Sequence, residues 1–400
     1  MRFFGVLLAF LVVSACSSTP KRDYKFIEIP EVINKDPQKN LSAEEVKYDI
    51  SQAIYALETA YSGKSFLPSG EYQALIRNLK EIHGPISVQY FCEKIDGYMD
   101  SVSDNHLGAK FNNNACFKSP NIREPKVGNN FYAKKNEIPW DIKLTGKNKA
   151  NALLISITNF PSSTSPFWNG FLEKIKKSLP LSELIIIDMR GNGGGDDTKG
   201  FELASLLSGA ELKEPKSKQW RNPSPEAQQI LLNTFDYWAR IEQEEGRKVA
   251  PYILDLKKQH IDSRNEAIKN RGLLPGEEEK KSEGQDFDYE KSIQKPIYIL
   301  VDASCASSCE STTDFFEYNP FVKTVGEKTA GYIHFGNNGA VFLKNSGIKL
   351  QMATAYNSYK DGRFIEKAGI KPKIPVPAGK DALSYAWKDF FQTKRITKSR

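Results

Sequence analysis

A chain of 400 residues, 40% hydrophobic and 26% charged, is ordinary globular material, long enough for one main core with one or two additions. Its net charge of +7 is modest for that length and includes no basic run interleaved with aromatics, so nucleic acid is not an expected partner. Its five cysteines and four histidines form no CxxC pair and no His/Cys cluster, so neither a metal nor a cofactor is expected.

The first element is a leader. Met1-Arg2 is basic, Phe3 to Val13 is almost wholly apolar, and Val13-Ser14-Ala15-Cys16 supplies small residues before a cysteine. The apolar run falls short of the ~20 residues of a spanning helix, so residues 1–16 are predicted to be a signal peptide. This segment resembles a bacterial lipoprotein signal. The resemblance implies that Cys16 becomes a lipid-modified N-terminus and that the protein meets the membrane through that lipid, in the cell envelope. Ser17 in place of aspartate points to the periplasmic face of the outer membrane in a Gram-negative cell. Residues 17–40, rich in Ser, Pro, Lys and Asn, are predicted to be a tether with little structure.

Residues 41–115 are predicted to form a small helical domain. Ser42-Ala43-Glu44-Glu45 is a capping box that opens an amphipathic helix to about Tyr61, and helical patterns follow over 70–82 and 87–99. Residues 116–400 are the predicted core. Asn151 to Asn159, Leu184 to Arg190 and Pro296 to Val301 are predicted buried strands, with a helix over 167–178, further strands over 340–344 and 348–355, and a helix over 310–317. That alternation predicts an α/β fold. Residues 213–292 interrupt the core as a charged, helix-rich insertion whose apolar positions, Ile230-Leu231-Leu232, Phe235, Trp238 and Ile241, recur at helical spacing. The stripe packs on the core, or forms a lid over a cleft.

Three segments carry candidate chemistry. Val301 to Glu310 places hydroxyls where an apolar run stops in small residues and restarts as a helix, the corner a serine nucleophile needs, and Ser307 is the candidate. Leu184 to Gly195 is a buried strand breaking into four glycines among five residues, whose bare N–H groups can face a developing oxyanion. Asp196-Asp197 follow where a phosphate loop needs Gly-Lys-Ser/Thr, which argues against nucleotide binding. Ser103 to Gly108 is a polar turn carrying His106, the best placed of the histidines; His83, His260 and His334 sit in poorer settings.

Taken in order, Asp104-x-His106, Asp188-x-Arg190-x-Asn192-Gly193-Gly194-Gly195, Ala306-Ser307-x-x-Glu310 and Val325-Gly326-Glu327-x-Thr329-x-Gly331 resemble the C-terminal-processing (tail-specific) serine peptidase family. One branch of that family uses a Ser-Lys dyad, with lysine directly after the last glycine; here that position is Tyr332. The other branch, to which the tricorn core protease and the chlamydial secreted protease belong, serves its serine with an upstream histidine and a downstream glutamate. Its Glu-x-x-Gly-Ile/Val-x-Pro motif matches Glu366-Lys367-Ala368-Gly369-Ile370-Lys371-Pro372.

The resemblance implies a crotonase-like spiral core and a serine endopeptidase acting on peptide or protein substrates. Ser307 would be the nucleophile, His106 the base and Glu366 the residue that orients the imidazole, with the oxyanion between the N–H of Ser308 and that of Gly193 or Gly194. A histidine base of ordinary pKa predicts activity rising over about pH 6 to 7.5. The stretch from Cys116 to Ala150 is too short for the peptide-binding PDZ domain that Ser-Lys members carry. In an exported protein Cys92 and Cys116, which bracket the His106 loop, are expected to be bonded; Cys305 and Cys309 either bridge or stay as small buried residues. The alternative from another class is a catalytically silent peptide- or ligand-binding scaffold of the same fold. An esterase reading lacks its Gly-x-Ser-x-Gly elbow.

Overall fold

The computed structural model describes residues 24–116, 139–161, 165, 167–208, 217–270, 293–317, 319–359 and 361–398. The signal peptide and Cys16 therefore lie outside the described residues. The predicted tether does not hold from residue 24 onward. Ile29 is buried, Asn34 donates through Nδ2 to the Ser346 carbonyl at 3.0 Å, and Arg240 donates to the Pro30 carbonyl at 2.8 Å. Composition marked this segment as a linker, but its alternate apolar residues, Ile27, Ile29 and Ile33, find apolar surface to cover.

β1 (Asn40–Leu41) leads into α1 (Ala43–Thr59), whose capping box is formed as expected: Ser42 N–H donates to Glu45 Oε2 at 2.8 Å and Glu45 N–H to Ser42 Oγ at 3.3 Å. α2 (Gly63–Phe66), α3 (Glu71–Lys80), β2 (Ile86–Ser87) and α4 (Val88–Asp100) follow, with β2 antiparallel to β1. Leu57, Leu79, Phe91, Ile95 and Met99 are buried together and join these helices to a sheet that arrives mostly from the other end of the chain. That sheet begins with β3 (Gly108–Phe111) and β4 (Asn114–Ala115).

The chain continues as β5 (Trp140–Lys147), β6 (Ala150–Ile157), α5 (Trp168–Ser178), β7 (Leu184–Asp188), α6 (Asp197–Ser208), β8 (Ser217–Arg221), α7 (Pro225–Glu244) and α8 (Pro251–Lys269). It ends with β9 (Ile297–Val301), α9 (Ser308–Phe315), β10 (Val322–Gly326), β11 (Phe335–Phe342), β12 (Lys349–Tyr359), β13 (Ile374–Pro375) and α10 (Ala382–Lys398). One sheet has the order β13-β10-β9-β7-β6-β5 and is parallel except for β5 against β6. Its central strands, Leu-Ile-Ile-Ile-Asp and Ile-Tyr-Ile-Leu-Val, are continuous apolar runs because both faces are covered, by α5, α6 and α9 on one side and α10 on the other.

The second sheet runs β11-β12-β3-β4, with β8 pairing the far end of β12. The inserted helices α7 and α8 pack on each other, and α7 lies along β11. β7 and β9 are parallel neighbours with Asp188 opposite Leu300. The glycine loop after β7 and the Ser307 corner after β9 therefore leave the sheet at the same edge, where open α/β sheets place their ligands.

Candidate active site

Ser307 stands between β9 and α9 with φ 55° and ψ −119°, a conformation that a residue with a side chain rarely adopts. Its neighbours hold it there. Ser307 N–H donates to Glu310 Oε2 at 3.2 Å, Ala306 N–H to the Asn192 carbonyl at 3.1 Å, and Ser308 Oγ to the Gly195 carbonyl at 2.7 Å. Gly194, at φ 113°, passes so close that a Cβ there would lie 2.9 Å from Ser307 Cβ and 3.2 Å from Ser308 N. Only glycine lets this backbone come that near the Ser307 corner. The glycine loop is fixed in turn by Asp302, whose carboxylate accepts Gly191 N–H at 3.1 Å, and by Asn192, whose Nδ2 donates to the Ile157 carbonyl at 3.1 Å.

Glu310 is the keystone of this corner. Fully buried, it accepts Ser307 N–H and Tyr332 N–H (2.6 Å) on one oxygen, and Gly331 N–H (2.8 Å) and the Thr329 hydroxyl (2.6 Å) on the other. Burial pushes its pKa up, while these donors oppose the shift. The Ala-Ser-x-x-Glu spacing was visible in the sequence, but its role was not. Only the fold returns the 329–332 loop to the same carboxylate.

His106 lies across that loop. Its ring meets the Tyr332 ring edge-on, with centroids 5.1 Å apart. Asp104, His106 and Glu366 are 1%, 8% and 3% exposed, and one ligand atom from each lies within 4.8 Å of the others, so three ionisable groups are sealed together. Glu366 accepts Asn105 N–H at 2.9 Å, Ile333 N–H at 3.1 Å and His334 N–H at 2.9 Å. Asp104 accepts the Tyr61 hydroxyl at 2.8 Å and His106 N–H at 2.7 Å. His106 Nδ1 is buried with no hydrogen-bond partner.

Burial sets the charges in this cluster. It lowers His106 to about 4, helped by the Lys110 ammonium, so the imidazole is a free base. It raises Glu366 to about 8, with the Asp104 carboxylate adding to the rise, and raises Asp104 to about 6. The set Asp104, His106 and Glu366 also has the donor types to hold a cation. Cys/His spacing along the sequence does not reveal this set, because Glu366 is remote in the chain from Asp104 and His106.

The structure thus brings Ser307, Ser308 and the glycine loop into one corner and His106 and Glu366 into an adjoining one, linked through Glu310 and Tyr332. Tyr332, at the position of the family lysine, packs on His106, while the Lys367 ammonium turns away to the Asp100 carbonyl at 2.6 Å. One site residue needs correction. Gly194 N–H donates to Asn192 Oδ1 at 2.8 Å, so it is committed to the loop's own turn, and Gly193 is left as the loop's oxyanion candidate. Cys92 is bonded to Cys116 and Cys305 to Cys309, with Cα atoms 5.5 and 5.4 Å apart. His334 is structural: Nδ1 lies 2.7 Å from the Asn357 carbonyl and Nε2 accepts Ile365 N–H at 2.9 Å.

The model of peptidase family S41 matches residues 151–376, more than half of the chain. The chain belongs to peptidase family S41. The match begins in β6 and runs through the glycine loop, the Ser307 corner and Glu366 to just beyond β13. A protein of Chlamydia trachomatis serovar D is 27% identical over 252 residues, covering 57% of this chain and 40% of its own length. An uncharacterized protein of Chlamydia muridarum is 25% identical over 238 residues, covering 55% and 39%. The chain thus spans about 40% of the length of these curated relatives. Mature CPAF complexed with lactacystin is a structural neighbour, with TM-score 0.53 at 15% identity over 89% of this chain and 98% of that one. A putative peptidase from Parabacteroides merdae has TM-score 0.50 at 11% identity over 85% and 92%. At these identities the likeness is one of fold, and the α/β peptidase fold expected from the sequence is the one observed.

Proposed function

We propose that this S41 member is a serine endopeptidase with a Ser307-His106-Glu366 site, lipid-anchored through Cys16 on the periplasmic face of the outer membrane. The observation that carries the catalytic reading is the backbone of Ser307, a non-glycine residue at φ 55° on a strand-to-helix corner. Such strain persists where the surroundings over-determine it, and a sharp strand-to-helix corner is where a serine nucleophile is placed.

Ser307 Oγ attacks the scissile carbonyl as His106 takes its proton. The tetrahedral oxyanion forms beside the N–H groups of Ser308 and Gly193, and collapse expels the amine with the proton from His106. Water then repeats the sequence on the acyl-enzyme, returning Ser307. The unpartnered Nδ1 of His106 is the kind of atom such a site aims at its carboxylate, and Glu366 belongs to the same buried cluster.

The test is incubation with a fluorophosphonate probe followed by peptide mapping. Label on Ser307, lost in His106→Ala, is expected; an unlabelled Ser307 in folded protein sinks the reading. For the anchor, the Val13 to Cys16 pattern carries the proposal. Radioactive fatty acid should label the wild type and not Cys16→Ala, and label that persists in the variant would exclude this mode of attachment.

A further inference from the structure

We propose that the groove between the inserted helices and the second sheet is a substrate-binding site whose end takes a peptide carboxylate, between the ammonium groups of Lys110 and Lys349. The inference rests on the peptidase reading and extends it to substrate preference.

The groove has a volume of about 950 Å³ and runs between β8, α7, α8 and the strands β11 and β12. Trp220, Phe235 and Trp238 line it, and Lys349 and Gln351 lie at its β12 border. Lys349 is the register partner of Lys110 on β3, so the two side chains stand on one face of the sheet as direct cross-strand neighbours. Two like charges so placed destabilise the pairing.

Among the described residues no carboxylate hydrogen-bonds to either ammonium. Lys110 Nζ donates to Gln351 Oε1 at 3.4 Å; Lys349 Nζ donates to Asn113 Oδ1 at 3.2 Å and sits 4.9 Å over the Tyr237 ring. The Asp96 carboxylate bears on Lys110 but is turned onto the N–H groups of Ala109 and Cys116, at 2.7 and 3.0 Å. Burial lowers both lysines, Lys349 to about 8 with Lys110 adding to the drop. A bound anion would relieve both the burial and the repulsion.

The position of the pair favours a carboxylate on a polypeptide. Gln351, which accepts from Lys110, donates through Nε2 to the His106 carbonyl at 3.3 Å, so the anion site is one side chain from the segment that carries the base. Aromatic rings, side-chain amides and the charged Arg221 and Glu266 complete the lining, which suits an extended chain of mixed character.

The test is cleavage of a proteome-derived peptide pool by the full chain, with products read by mass spectrometry. Asp, Glu or the terminal carboxylate should recur at a fixed distance from the cut bond. Lys349→Gln, alone and with Lys110→Gln, should lower kcat/KM for acidic peptides about tenfold, mainly through KM, as loss of a charge-assisted contact does. Lys349→Arg should keep the preference, and in the Gln variants the ratio of kcat/KM for acidic over uncharged peptides should fall toward one. Synthetic versions of a cleaved peptide, with internal Glu or Gln and a free or amidated end, assign the carboxylate to side chain or terminus. No acidic preference, or a preference surviving the double variant, overturns the groove proposal and leaves the peptidase reading intact. If nothing is cleaved and Ser307 is not labelled, the peptidase reading fails instead. Binding of fluorescein-labelled acidic and neutral peptide pools to Ser307→Ala protein then decides the groove: equal binding, or binding indifferent to Lys349→Gln, overturns it.

Discussion

Ser307 and His106 sit in adjoining corners that are built by different means. Around Ser307 the donors of the turn are committed: Glu310 takes Ser307, Gly331 and Tyr332, Asn192 takes Gly194, and Asp302 takes Gly191. Around His106 the carboxylates are occupied by backbone N–H groups, and the imidazole Nδ1 has no partner. The Ser307 corner is locked in place by hydrogen bonds, whereas the His106 backbone is held by Asp104 and Gln351 and its imidazole Nδ1 is left one contact short. Catalysis should accordingly respond to small movements of the base side more than of the serine side.

The largest effects test whether the two corners act as one unit. Ser307→Ala and His106→Ala should each reduce peptidase turnover by about 10⁴-fold, and the double variant should be scarcely worse. A His106→Ala protein with near-normal kcat, together with a lysine whose loss abolishes it, would replace this site with a Ser-Lys dyad. Glu310→Gln comes next, because it sets an amide NH₂ against buried N–H donors. It should cost roughly 3 kcal/mol of stability and slow fluorophosphonate labelling of Ser307. Unchanged labelling by a stably folded Glu310→Gln protein would show that the corner is held by its glycines alone.

The pH profile sharpens the contrast. His106, lowered to about 4, is already a free base in mild acid, so its titration cannot produce a rise over pH 6 to 7.5. Glu366, raised to about 8, is neutral below that pH and becomes the carboxylate that can stabilise an imidazolium above it. The rise in kcat should therefore extend to about pH 8, and Glu366→Gln should flatten that limb while leaving residual activity. A rise that moves down to about pH 6 in Glu366→Gln would transfer the role to Asp104, and a rise left unchanged would exclude Glu366 as its source. For stability the sign is opposite: the folded state holds a proton on Glu366 that the unfolded chain releases near 4.5, so this contribution is lost as pH rises through about 8.

The disulfides give the smaller effects. Opening the Cys92–Cys116 loop should cost about 3.5 kcal/mol in closure entropy, against about 2 kcal/mol for the shorter Cys305–Cys309 loop. Chemical denaturation of the two double-alanine variants would measure the difference, and the reverse order would show that the short bridge does more than close a loop. Tyr332→Phe, which keeps the ring on His106 and the backbone bond to Glu310, should be the mildest change of all, within a few-fold of wild-type kcat.

Much of this molecule could be read from local pattern. The apolar runs of β7 and β9, the capping box of α1 and the glycines after β7 all follow from spacing and residue chemistry, which act over a few residues. Ser307 could be named from its corner and Tyr332 from its place in a motif. The segment from residue 24 to 40 was misread because a linker-like composition hides three apolar residues whose partners are elsewhere in the chain. Tertiary structure alone decided that Glu310 ties Ser307 to the 329–332 loop, that Glu366 closes against Asn105, and that Lys110 stands opposite Lys349. Residue chemistry and local period are written along the chain, but register between distant strands and the sharing of one buried carboxylate by several loops exist only once the chain has packed.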